Sequence, residues 1–120
     1  RLASAYIRVG EIEKGEEEAK QARRVLSEKN PQVKINARSE LDFAFALKEK
    51  GLEDKASDIF KNILVNKDFI NDDFVLIKVA EEFARRGDKE SAIAAANRVA
   101  EVNPALKEES EKFIKTVEQK

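Results

Sequence analysis

The side chains with the most chemistry to offer in this sequence are carboxylates standing side by side: Glu16-Glu17-Glu18, Asp72-Asp73, Glu81-Glu82 and Glu108-Glu109. Two carboxylates that converge on one atom can divide acid–base work, and several oxygens together can hold a hard cation. Neighbouring residues on a helix point about 100° apart, so these pairs diverge. They read instead as solvated helix faces, or as first-turn acids at the positive end of a helix dipole. Asp68-x-Ile70-x-Asp72 has the opening of a calcium loop but lacks its sharp-turn glycine and its closing glutamate. A glycine-rich phosphate cradle does not occur in the chain. There is no histidine and no cysteine, which excludes Ser-His-Asp and Cys-His nucleophiles and every imidazole or thiolate metal site within it. Arg23-Arg24 and Arg85-Arg86 are the paired arginines, but the net charge is −1, without the basic excess of a nucleic-acid binder. The expectation is a protein that is not an enzyme, takes no cofactor and no metal, and binds no nucleic acid.

The elements that carry these residues follow from composition and periodicity. Hydrophobic residues make up 42% and charged residues 39% of the 120, enough for one domain with an apolar core. Only 4 glycines and 2 prolines are present, too few to punctuate many short strands, while Lys, Glu, Ala, Leu and Arg favour helix. The fold class expected is all-α. No apolar run approaches the ~20 residues that cross a bilayer, so membrane insertion is not expected. The lack of cysteine fits the cytoplasm, the expected location. The chain opens at Arg1, without Met, inside what already reads as a helix, which suggests a piece of a longer protein.

The sequence repeats itself around three glycines. Leu2-Ala3-x-x-Tyr6 precedes Gly10, Phe43-Ala44-x-x-Leu47 precedes Gly51, and Val79-Ala80-x-x-Phe83 precedes Gly87. The fifth residue after each glycine is small: Gly15, Ala56, Ala92. Four further on stand Ala19, Phe60 and Ala96. Large, small and large at i, i+1 and i+4 mark one helical face, and the small residue lets a second helix approach closely. A glycine just past the last turn takes the left-handed conformation that stops the helix. Each unit is therefore an antiparallel helix pair with a tight turn. The glycines are 41 and 36 residues apart, so the second helix of the first unit reads as longer. Residues 13–29 carry an amphipathic stripe of Ala19, Ala22, Val25 and Leu26.

Caps sharpen the boundaries. Asn30-Pro31 and Asn103-Pro104 each place a capping side chain before a proline at the first helical position. Gly87-Asp88 offers a stop and then a cap. Asn71-Asp72-Asp73 offers a cap and two first-turn acids, flanked by Ile70 and Val75 at staple spacing. Seven helices are expected, over 2–9, 12–29, 31–50, 53–66, 72–86, 89–102 and 105–118. The last carries Leu106, Phe113, Ile114 and Val117 amid Lys and Glu, and Ile114 stands where the earlier units have alanine. It reads as a terminal cap with one wet face.

These residues resemble the tetratricopeptide repeat family. The third unit is the clearest, with Leu76, Val79, Ala80, Phe83, Gly87, Ala92, Ala96, Val99 and Pro104. The second has Ala44, Leu47, Gly51, Ala56, Phe60, Ile63 and Leu64, with Asp68 in place of the closing proline, and the first is partial, with Gly15 where alanine is usual. The resemblance implies a single domain over 1–120: a right-handed stack of three antiparallel helix pairs (1–30, 31–68 and 69–103) with a capping helix over 104–119. It also implies a non-catalytic scaffold that binds a protein or peptide on the concave face made by the first helix of each pair. Members that capture acidic tails clamp them with Lys and Asn. Here Ser4, Asp42 and Phe74 occupy matching places and only Lys78 fits, which argues against capture of a free C-terminal carboxylate.

Once the hairpin core is assigned, Phe45, Phe74 and Ile77 are surplus. Phe74 and Ile77 lie three apart on one helical face. With Lys48, Lys78, Glu81 and Arg85 around them, these residues are the candidate binding groove, an apolar strip with a polar rim. The blander reading is that Phe45 and Phe74 fill gaps between hairpins. The alternative function is a regulatory or dimerisation module that packs on a domain outside this chain, a homodimer included. An exposed apolar patch at Leu2, Tyr6 and Ile7 would favour it.

Overall fold

The computed structural model describes residues 2–29, 37–66 and 72–119, and among them every regular element is helical. None of these helices is long and apolar enough to cross a membrane. The residues fall into two compact units, Arg1–Ile70 and Asn71–Lys120.

The first unit holds α1 (Leu2–Arg8), α2 (Ile12–Lys29), α3 (Arg38–Glu49) and α4 (Glu53–Val65). Helix α1 packs on α2, α3 packs on α4, and α1 also packs on α3. The apolar face of α3 runs through the buried Leu41, Phe43, Ala44 and Leu47, and that of α4 through Ala56, Phe60, Ile63 and Leu64. Of these, Phe43, Ala44, Leu47, Ala56, Phe60, Ile63 and Leu64 are positions the repeat pattern assigns to the hairpin core. At Gly15 a Cβ atom would lie 2.5 Å from Ile7 Cδ1 and 2.9 Å from the Ala3 carbonyl oxygen. The absence of a side chain there lets α1 and α2 close on each other. Ala19 is buried and Ala22 exposed, while the side chains of Val25 and Leu26 lie outside the described residues, as does the Asn30-Pro31 cap. Helix α3 is described from Arg38, after Ala37 in a turn; the part of the expected helix over 31–36 lies outside the described residues.

The second unit holds α5 (Asp73–Arg85), α6 (Lys89–Val102), a 3-10 turn (Pro104–Leu106) and α7 (Lys107–Glu118). Helices α5 and α6 form the hairpin, and α7 packs on α6. Val75, Val79, Phe83, Ala92, Ala95 and Val99 are buried. Two caps expected from the sequence, Asp88 and Asn103, are present, and at α5 the cap is Asp72, which the sequence places in the first turn. The Asp72 carboxylate accepts from the Val75 amide at 3.3 Å, Asp88 from the Ser91 amide at 3.1 Å, and Asn103 from the Ala105 amide at 3.2 Å. Each satisfies an amide at a helix start that has no intrahelical partner. Asn103 also donates through Nδ2 to Asp73 Oδ2 at 2.9 Å, tying the end of α6 to the start of α5. The staple residue Ile70 and the first cap candidate, Asn71, lie outside the described residues.

All three hairpin turns close in one way. Gly10, Gly51 and Gly87 have φ of 90°, 78° and 81°. The amide after each glycine donates to the carbonyl five residues back: Glu11 to Tyr6 at 2.8 Å, Leu52 to Leu47 at 3.0 Å and Asp88 to Phe83 at 2.9 Å. Each glycine amide donates three back, to Ile7, Lys48 and Ala84. That pair of bonds is the Schellman termination, which needs the left-handed residue glycine supplies.

Candidate functional site

In the first unit, Phe45 sits on α3 with its ring edge-on to Phe60 of α4, centroids 5.6 Å apart and planes at 71°. The ring is half-buried, and Lys48 Nζ stands 5.4 Å from its centroid. Much of Phe45 is therefore committed to the hairpin itself, an edge-to-face packing that aromatic pairs favour.

In the second unit, α5 turns one face into the buried set and leaves Phe74 47% and Ile77 36% exposed. The cation of Lys78 lies 5.7 Å from the Phe74 ring centroid and 3.8 Å from Glu81. Arg85 faces elsewhere: its Nη2 and Nε donate to Glu82 Oε2 at 3.1 and 3.3 Å, and Glu82 is buried. Arg85 thus neutralises a buried carboxylate, a structural duty. Four of the five second-unit candidates (Phe74, Ile77, Lys78 and Glu81) make one surface strip on α5.

Ile77 continues from that strip into a groove of about 430 Å³, walled by α5 and α7 and floored by α6. Ala96 keeps the floor low, Ala80 keeps the α5 wall thin beside it, Val99 and Leu106 line the groove, and Phe113 stands on the far wall. Glu81 and Glu109 supply its charge from opposite walls, with Ser110 beside them. Helix α7, expected as a terminal cap, also supplies this wall. Leu106, Glu109 or Ser110, and Phe113 recur at helical spacing, opposite the small residues of the hairpin, and that combination is the signal for the wall.

Arg8 makes the principal polar cluster of the first unit. It donates through Nε to Glu49 at 3.0 Å and through Nη2 to Asp42 at 3.2 Å, bridging α1 to α3. These bonds, Glu49 foremost, raise the Arg8 guanidinium above its ordinary value. Burial pushes the Asp42 carboxyl up, but the Ser4 hydroxyl and Arg8 outweigh it, and the carboxyl ends below the ordinary range. The buried Ser4 hydroxyl makes no hydrogen bond of normal geometry, so its effect on Asp42 is that of a nearby dipole. Ile7 is fully buried and Tyr6 half-buried, which removes Ile7 from the apolar patch that packing on an outside domain would use.

The folds of the two units define the class: an all-α protein of helical hairpins. No protein-family model, curated protein or solved structure matches the chain.

Proposed function

We propose that the chain is a non-catalytic protein-interaction scaffold that docks a partner helix, peptide or domain on the α5 face of its second unit. The observation that carries this reading is the exposure of Phe74 and Ile77 on a helix whose other face is fully used for burial. Exposed apolar side chains grouped beside an apolar groove and rimmed by charge are the composition of a docking surface. The absence of His and Cys and the divergence of the adjacent acids support a binding role over a catalytic one. We also read the three hairpins as tetratricopeptide-like repeats that form the expected right-handed stack, closed by α7. That finer reading is supported by one turn recurring three times with the same pair of backbone bonds and by the small residue that follows each glycine at the same interval.

The test is to make Phe74→Glu and Ile77→Glu, to verify helical content by circular dichroism, and to compare what each variant and the parent retain from native lysate. The reading expects partners held by the parent to be lost from folded variants. Folded variants that keep every partner would overturn it.

A further inference from the structure

Resting on that reading, we infer that the groove between α5 and α7 receives a basic amphipathic helix, whose apolar side chains enter the groove while flanking Lys or Arg residues meet Glu81 and Glu109.

The secondary structure of the occupant follows from the walls. The groove is built from helices, whose backbone amides and carbonyls bond one another. It offers no strand edge. An extended peptide laid there would leave its own backbone groups facing Ile77, Ala80 and Val99 without partners, at the cost of unpaired polar groups. A helix satisfies its own backbone and presents side chains at i, i+3, i+4 and i+7 along one stripe. The volume of about 430 Å³ holds a few aliphatic side chains rather than a whole helix, so the helix lies over the groove and inserts its apolar stripe.

The first unit supports the same conclusion. Ser4 in α1 and Glu81 in α5 hold the same place in the repeat, one residue after the small alanine. Helix α3 packs on α1, and Ser4 there is buried beside Asp42 of α3. In the second unit α7 packs on α6 and leaves α5 with at most marginal cover, so Glu81 stays exposed at the groove. A flank covered by a helix in one hairpin is an open, helix-sided groove in the other.

The charge of the occupant follows from the rim. Glu81 and Glu109 are carboxylates on opposite walls. Lys78 approaches Glu81 at 3.8 Å, with both side chains about half exposed, a pairing weak enough to exchange for a partner's cation. Arg85, which could otherwise offset the acids, is engaged by Glu82. An acidic helix would meet like charge on both sides, whereas a basic one gains on both.

The experiment titrates the isotopically labelled chain with helix-stabilised synthetic peptides of about four turns. One carries leucines at i, i+3, i+4 and i+7 with flanking lysines, a second has the lysines replaced by glutamates, and a third has the leucines replaced by serines. The lysine peptide is expected to shift the amides of Ile77, Glu81, Glu109 and Phe113. It should bind about three- to tenfold more tightly than the glutamate peptide, with a difference that shrinks as salt rises. The serine peptide should not bind. Glu81→Gln with Glu109→Gln, both at exposed positions, should abolish the preference and keep the fold, and Ile77→Glu should abolish binding of both leucine peptides. Equal binding of the two charged peptides overturns the charge assignment and leaves docking on α5 standing. No binding, or shifts away from this groove, overturns the inference altogether, as does self-association that fills the groove with a second copy. Failure of the scaffold reading itself is separate: it appears as native partners that persist on folded Phe74→Glu and Ile77→Glu variants.

Discussion

Replacing Gly15 by alanine puts two opposed effects in one atom. In an ordinary helix interior, Gly→Ala stabilises by about 0.5–1 kcal/mol, because the unfolded chain loses freedom. Here the new Cβ would stand 2.5 Å from Ile7 Cδ1, 2.7 Å from Ile7 Cγ1 and 2.9 Å from the Ala3 carbonyl oxygen. Ile7 is fully buried and cannot swing into water, and the Ala3 oxygen belongs to the backbone of α1. Overpacking of this kind costs about 1–3 kcal/mol. The expected balance is a net loss of roughly 1–2 kcal/mol, or ~5–10 °C in the melting of the first unit. Urea unfolding followed by circular dichroism measures it. The control is Ile7→Ala, which removes both side-chain contacts and by itself costs about 2–5 kcal/mol. In that background the added cost of Gly15→Ala should fall by about 1 kcal/mol or more, a coupling that a double-mutant cycle resolves. An equal cost in both backgrounds, or a stabilised Gly15→Ala protein, would refute the packing of α1 on α2 described above.

Two further outcomes test the remaining polar architecture. The Asp42 carboxyl sits below its ordinary value of 3.8, so its ionised form favours the fold at pH above that value and loses the contribution as pH falls through the folded value. The stability difference between the parent and Asp42→Asn should therefore be full above about pH 4 and close below it; because the side chain is 37% exposed, the difference should stay within about 0.2–1 kcal/mol. Asp88→Ala removes the acceptor for the Ser91 amide and should cost about 1 kcal/mol, with Asp88→Asn largely restoring it, as read from thermal melts.

Much of the fold was legible because local chemistry decides it. Gly10, Gly51 and Gly87 each stand after a large–small–large face, and only a left-handed residue there lets the chain turn back. The turns therefore fall where the pattern places them. Asp88 and Asn103 cap helices because a short polar side chain at that point bonds a free amide, and Asp72 does so one residue after the expected cap. Gly15, which looked like a departure from the repeat, is explained by the bulk of Ile7, at a position held by Lys48 and Ala84 in the other hairpins. A side chain's bulk is visible in sequence, but the neighbour it presses on is not.

The candidate surface was only partly legible. Phe74 and Ile77 were recognisable as surplus apolar residues because the core set of α5 was already complete without them. Phe45 was recognised by the same logic, yet its ring packs on Phe60, a contact between helices that periodicity within one helix cannot reveal. Arg85 looked like a rim cation and instead serves the buried Glu82, since the choice between two acids within a turn depends on burial. Glu109 and Phe113 emerged only once α7 was seen to pack on α6 and leave one side of the groove open.

The most direct measurement of the docking claim is amide hydrogen exchange on the chain isolated together with whatever it retains from native lysate, compared with the chain alone. The account predicts added protection confined to residues 74–81 and 106–113. Added protection on other helices, with those two stretches unchanged, would contradict it.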